Sequence, residues 1–130
     1  MQIEAGRTAA VVTGAASGLG RATARALAEA GANVVFGPPG LKTHAKMLLI
    51  ERREGRRLQR YVHLGTGNYN PGTAKIYTDF SFFTRNPAIG NDALRVFEQL
   101  SGAKTTPGAP KLGKLLQAPY TLQSTLLERI

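Results

Sequence analysis

Gly40-Leu41-Lys42-Thr43-His44-Ala45-Lys46, followed by Tyr61-Val62-His63-Leu64-Gly65-Thr66-Gly67-Asn68-Tyr69-Asn70, is the stretch on which the reading of this chain turns. Two strands are expected around it, His44 to Arg53 and Leu58 to Leu64, with Glu54-Gly55-Arg56-Arg57 as a hairpin turn. Side chains alternate along a strand, so His44 and Lys46 project from one face. A neutral imidazole, with an unperturbed pKa of about 6.5, can attack a terminal phosphate. Lysine beside it neutralises charge on the transferring group, where most catalysis of phosphoryl transfer resides. The Gly65 to Asn68 loop is a candidate phosphate cradle. A lone histidine is more often a satisfied core or surface residue. Here Lys42, Lys46 and the glycine loop shift the balance toward transfer by way of a phosphohistidine.

Upstream, a different chemistry is written. Thr8 to Thr13 reads as a short buried strand, and Thr13-Gly14-Ala15-Ala16-Ser17-Gly18-Leu19-Gly20 as a glycine-rich turn. From Gly18, the residues Leu19, Ala22, Ala26, Leu27 and Ala30 recur at helical spacing, with Gly31 as the C-terminal cap. Asn33 to Phe36 is a second strand, and Gly37-Pro38-Pro39-Gly40 stops the unit. Strand, glycine turn and helix N-terminus together favour a pyrophosphate, because unpaired N–H groups and the helix dipole face the anion. The same glycines also suit a plain tight turn between strand and helix. The two strands, if paired parallel, need the helix as crossover.

Downstream, Asn70-Pro71-Gly72 starts a loop or short helix, and Asp79 to Thr84 is a further strand. Asn86-Pro87 opens a helix carrying Ile89, Leu94, Val96, Phe97 and Leu100, which Gly102 ends. Thr105 to Lys114 is rich in Pro, Gly and Lys and reads as a mobile linker. Thr121 to Ile130 reads as the start of a helix cut short. The expected organisation is one α/β domain over residues 1–103, with a mixed sheet, and a linker plus a truncated element over 104–130.

Composition narrows the partners. The 130 residues include 42% hydrophobic ones, enough for one domain with a core. A net charge of +9 and a pI near 10.5 favour anionic partners: nucleotide, polyphosphate, nucleic acid or an acidic membrane surface. No cysteine is present, which excludes disulfides and thiolate metal sites. No apolar run approaches a membrane span and the N-terminus lacks a signal pattern, so a cytoplasmic location is expected. Arg52, Arg53, Arg56, Arg57 and Arg60 flank the hairpin, either as a solvated surface or as a path for a polyanion.

Two family resemblances are carried by these residues. Thr13 to Gly20 resembles the TGxxxGxG turn of short-chain dehydrogenases/reductases, over about residues 8–36, which implies NAD(P) held at Gly14, Ser17, Gly18 and Gly20. That family's Tyr-x-x-x-Lys pair is missing: Gly65, Thr73, Ser81 and Ser124 follow the four tyrosines at that distance.

The segments GLKTHAK, RYVHLGTGNYN, TAKIYTDFSFFT and NPAIG resemble bacterial polyphosphate kinases, in the first of their two phospholipase-D-like catalytic domains, over about residues 37–122. That resemblance implies ATP, Mg²⁺ and inorganic polyphosphate as ligands, and no specific nucleic acid. It makes His44 the phosphorylated residue and His63 a second site histidine that orients or exchanges protons. Lys46 and Asn68 would complete the H-x-K and G-[S/T]-x-N elements, and Lys42 would bind phosphate. Glu51 is expected to be a solvated strand residue.

An arginine that this family uses on phosphate and magnesium would fall near Gly14, where a glycine stands. The second phospholipase-D-like half is also missing. The combined expectation is a phospholipase-D-like half domain opened by a Rossmann-like βαβ unit, a chimera or fragment whose active site is incomplete. A silent anion-binding domain is the third reading. The sequence leaves open whether the chain forms a homo-oligomer.

Overall fold

The computed structural model describes residues 18–32, 42–102 and 110–130. Its centre is an antiparallel hairpin, β1 (Lys46–Glu54) and β2 (Arg57–Gly65), joined through Gly55 and Arg56. Gly55 has φ +60° and, among the described residues, no non-glycine residue has positive φ, which is the arrangement of a type II′ turn with glycine in its first central position. The right-handed twist of the flanking strands is matched by that turn. β3 (Ser81–Thr84) pairs antiparallel with β2 and completes a three-stranded sheet in the order β1-β2-β3.

One face of this sheet is covered. Met47 pairs with Leu64, and Leu49 with Val62, so these four point to the same side. Helix α2 (Pro87–Leu100) lies over them with Ala93, Val96 and Phe97, and the buried cluster is Met47, Val62, Ala93, Val96 and Phe97. Burying Val62 and Phe97 stabilises the fold by about 1.5–3 kcal/mol each. α2 begins where the Asn-Pro pair predicts. The Asn86 side chain accepts from the N–H groups of Ala88 (2.9 Å) and Ile89 (3.3 Å), and Pro87 has no N–H to leave unpaired.

Arg60 ties this helix to the sheet. Its Nε donates to Glu51 Oε1 at 2.7 Å across the hairpin, and a terminal nitrogen donates to Asn91 Oδ1 at 2.6 Å. Gly90 packs so closely on it that a Cβ there would stand 2.9 Å from Arg60 Cβ. Glu51 is the exposed strand residue expected, whereas Arg60 is half-buried and held by Glu51 and Asn91, so of the two readings offered for it neither an open solvated surface nor a free polyanion path applies. The two side chains are each other's partners.

The other elements depart from expectation in instructive ways. Helix α1 (Gly18–Glu29) is present, and its end closes with N–H bonds from Gly31 to Ala28 and from Ala32 to Leu27. The buried stripe, however, runs through Ala24, with Leu27 and Ala30 half-buried, while Ala22 and Ala26 are exposed. The strands expected at 8–13 and 33–36 lie outside the described residues. Among the described residues the sheet is wholly antiparallel, so α helices with a β-sheet are seen and the parallel βαβ opening is not.

The far end of the expected linker is held in place. Gly113, Lys114 and Leu115 donate their N–H groups to the Asp92 carboxylate at 2.6–3.0 Å. Leu112 and Leu115 pack on the core. Burial pushes Asp92 up, but these three donors and the nearby Arg95 outweigh it and hold the carboxyl below its ordinary range. Helix α3 (Leu122–Leu127) follows.

Candidate active site

Register alone brings the two informative stretches together. Lys46, the first residue of β1, stands opposite Gly65, the last of β2, so the lysine faces the start of the glycine loop. That loop is strapped down. The Thr66 N–H donates to the Phe80 carbonyl (3.1 Å), and its hydroxyl donates to Asp79 Oδ1 (2.9 Å) and accepts from the Phe80 N–H (2.9 Å). A side chain at Gly67 would collide with the Asp79 carboxylate. Asn70 Oδ1 then accepts from the N–H groups of Gly72 and Thr73 and turns the chain into a single 3-10 turn.

His63 sits in the middle of β2, opposite Leu48 on one side and Phe83 on the other. It is buried, with its ring 4.4 Å from that of Phe83 and 5.4 Å from that of Tyr69, centroid to centroid. Its Nδ1 is hydrogen-bonded to the Tyr69 hydroxyl at 2.5 Å. Burial pushes the Tyr69 phenol above its ordinary range, so the hydroxyl keeps its proton. A Cβ at Gly65 would meet His63 Cε1 at 3.2 Å and Nε2 at 3.7 Å, so the glycine leaves the far edge of the imidazole uncovered.

His44 is placed differently. It is exposed, on the extended segment that leads into β1, and the Lys46 ammonium turns back to donate to its carbonyl at 2.9 Å. With Lys42, Gln99, Leu112, Gln117 and Tyr120 it borders a groove of about 490 Å³. His63 borders a separate pocket of about 300 Å³, with Leu48, Ile50, Tyr61, Phe83 and Arg85. An extended chain from His44 to Leu48, the residue opposite His63, covers about 13 Å. Among the described residues no hydrogen bond joins the two histidines. The strand expected from His44 begins at Lys46 instead, and the Lys46 ammonium meets the His44 backbone carbonyl rather than its ring, while His63 stands further along the sheet.

Asn68 is exposed, with a side chain that makes no hydrogen bond to another described residue, and Lys42 is exposed at the groove. Gly18 and Gly20 form the first turn of α1, whereas Gly14 and Ser17 lie outside the described residues. Of the arginines, Arg52, Arg53, Arg56 and Arg57 are exposed. The Tyr61 hydroxyl donates to Glu54 at 2.7 Å, which, with burial a lesser cause, raises the phenol above its ordinary range. Thr66 falls in the glycine loop already singled out, whereas Tyr69 and Asp79 were not expected as site residues. Nothing in their spacing marks them, because each meets its partner only once the loop has closed.

Among the described residues no three His, Asp or Glu side chains gather to hold a metal. Asp92 is spent on backbone donors and Glu51 on Arg60. The described residues thus offer no ready-made cage for Mg²⁺, an ion that substrate phosphates with one or two carboxylates suffice to hold. Among the described residues no helix is long and apolar enough to cross a membrane.

Comparison with known proteins identifies the family. Residues 21–106 match the family described as polyphosphate kinase C-terminal domain 1. The match begins within α1, so it also takes in part of the segment that the glycine-turn resemblance covers. A polyphosphate kinase of Xylella fastidiosa (strain Temecula1) is 61% identical over 106 residues, 80% of this chain and 14% of that protein. One of Pseudomonas aeruginosa is 51% identical over 104 residues, again 80% of this chain and 15% of that protein.

The crystal structure of polyphosphate kinase from Porphyromonas gingivalis superposes with a TM-score of 0.64 at 32% identity, covering 84% of this chain and 18% of that one. The chain thus spans less than a fifth of the length of these relatives. With two-thirds of its residues inside the matched domain and its sheet, helix and histidine-bearing hairpin in place, the chain belongs to the polyphosphate kinase family.

Proposed function

We propose that this chain carries the phosphoryl-accepting part of a polyphosphate kinase site, with His44 as the acceptor of the ATP γ-phosphate and polyphosphate as the chain that receives or returns it. The observation that carries the reading is the placement of His44: exposed beside a groove, between Lys42 and Lys46, with the Lys46 ammonium folded back to it. A lone pair of the ring attacks the γ-phosphorus, the N–P bond forms, and the bond to the β,γ-bridging oxygen breaks to release ADP. A terminal oxygen of polyphosphate then attacks the same phosphorus, and the N–P bond breaks to restore the imidazole. Lys42 and Lys46 offset the charge that spreads over the equatorial oxygens. Asn68 and the glycine loop, held by Thr66 and Asp79, offer donors to the phosphate chain. His63 orients a phosphate oxygen.

Mg²⁺ carried by the ATP phosphates would offset their charge, and the described residues offer no ligand cluster that would hold it apart from substrate. Nothing observed favours the NAD(P) reading. Incubation with γ-labelled ATP and Mg²⁺, beside His44→Ala, tests the proposal. Acid-labile label that requires His44 is expected. A folded protein that takes no label, or takes it equally in His44→Ala, refutes it.

A further inference from the structure

His63 is more firmly held than an orienting residue with one contact would be, and the hold is asymmetric. Phe83 packs on its ring, Tyr69 bonds its Nδ1 edge, and Gly65 leaves the opposite edge open. A neutral imidazole carries its single proton on one nitrogen, and the hydrogen bond at the other decides which. A phenol is a stronger donor than acceptor, since its lone pairs are drawn into the ring, and an unprotonated imidazole nitrogen is a strong acceptor. The Tyr69 hydroxyl keeps its proton and has no other bond to a described residue, so Nδ1 is where that proton is directed.

We propose that Tyr69 is the positioning residue of His63: its hydroxyl donates to Nδ1, fixes the ring as the Nε2–H tautomer, and so presents an N–H donor at the edge left free by Gly65. An edge of that kind takes an anionic oxygen, and its use on a phosphate of the polyphosphate chain rests on the function proposed above. Tyr69 acts only through His63. Gly65 is part of the same device, because any side chain there would press on the Cε1–Nε2 edge. The tautomer leaves Nδ1 with no lone pair to spare and Nε2 with none exposed, so His63 in this state is a donor and not a nucleophile.

The chain contains two histidines, so His44→Ala in the full 130-residue protein leaves His63 alone in a side-chain nitrogen spectrum. At mildly alkaline pH, Nδ1 should resonate as a hydrogen-bonded pyridine-type nitrogen and Nε2 as a protonated pyrrole-type one. Tyr69→Phe keeps the ring beside His63 and removes only the oxygen. It should move Nδ1 to the position of a free pyridine-type nitrogen. A pyrrole-type Nδ1 in the parent, or an Nδ1 signal indifferent to Tyr69→Phe, overturns the proposal, and the parent spectrum alone decides the first of these even if the variant folds poorly. Titration with inorganic tripolyphosphate supplies the other arm: it should shift the Nε2–H signal. An unmoved Nε2–H with the Nδ1 results intact refutes the phosphate reading and leaves the Tyr69 assignment standing.

Discussion

Asp92→Ala should release the 110–115 segment from the helix and cost about 3 kcal/mol. The carboxylate accepts from three backbone donors, Gly113 at 3.0 Å, Lys114 at 2.6 Å and Leu115 at 3.0 Å, in a site where the side chain is almost wholly buried. Each hydrogen bond to a charged group contributes about 1.5–3 kcal/mol, and a plain sum over three would overshoot. The segment can swing out and give its N–H groups to water, so the loss is bounded by what docking that segment contributes, including burial of Leu112 and Leu115. Asp92→Asn keeps one acceptor oxygen and should fall between parent and alanine.

Urea unfolding gives the free-energy difference, and amide hydrogen exchange locates it: Gly113, Lys114 and Leu115 should lose protection while Val62 keeps it. The folded carboxyl titrates below its ordinary value of 3.8. Its contribution is therefore fully present above that pH and is lost as pH falls through the lower, folded value. Asp92→Ala should flatten this acid arm of the stability curve. An alanine variant with an unchanged midpoint and protected amides at 113–115 would refute the argument.

Other substitutions test the remaining parts. Gly90→Ala places a methyl 2.9 Å from Arg60 Cβ, an atom too near the backbone to yield, and should lower unfolding stability by about 1–3 kcal/mol. Gly55→Val forces a branched residue to φ +60° in the turn and should cost about 1–2 kcal/mol, read from the denaturation midpoint. Arg60→Met removes the partner of Glu51 and Asn91 and should lower stability while leaving the salt dependence of polyphosphate binding unchanged. Arg56→Gln with Arg57→Gln should do the reverse: an unchanged midpoint, weaker binding, and a shallower dependence of affinity on salt. A matched loss of stability in both variants would mean that the exposed pair is structural too.

What the sequence made legible is what short-range chemistry decides. The hairpin turn at Gly55, the start of α2 at Asn86-Pro87 and the closures at Gly31 and Gly102 each depend on residues within a turn of one another, and all stand where expected. The inward face of the sheet, by contrast, is read from the register, which sets Met47 opposite Leu64 and Leu49 opposite Val62. Helix α1 was harder, because alanines fill it from Ala22 to Ala30 and give the apolar period little contrast. A face through Ala24 is then as well written as one through Ala22 and Ala26.

The misses share a cause of the opposite kind. Arg60 reaches Asn91, 31 residues on, and Asp92 reaches Gly113, 21 residues on. No local pattern announces a polar side chain whose partner arrives from another element. Tyr69 and His63 are six residues apart, but across a loop whose closure depends on Thr66 and Asp79.

The contrast between the two histidines bears on which of them accepts phosphate. A residue that takes a phosphoryl group from one substrate and gives it to another must reach both, and needs an open ring and room beside it. His44 has these: it is exposed, lies outside the strand ladder, and is tied by a single bond to its backbone carbonyl. His63 is pinned on three sides, with Phe83 and Tyr69 against its ring and strand partners on both flanks. With its Nδ1 lone pair taken up by the Tyr69 hydroxyl and its proton on Nε2, as proposed above, the ring has no free lone pair with which to attack phosphorus. Immobilisation instead suits a donor that must hold still. The family resemblance already ranks His44 first, and the packing around each ring is the physical argument for that order. If His63→Ala abolished labelling of the protein and His44→Ala did not, that order would be reversed and the argument from packing would fail with it.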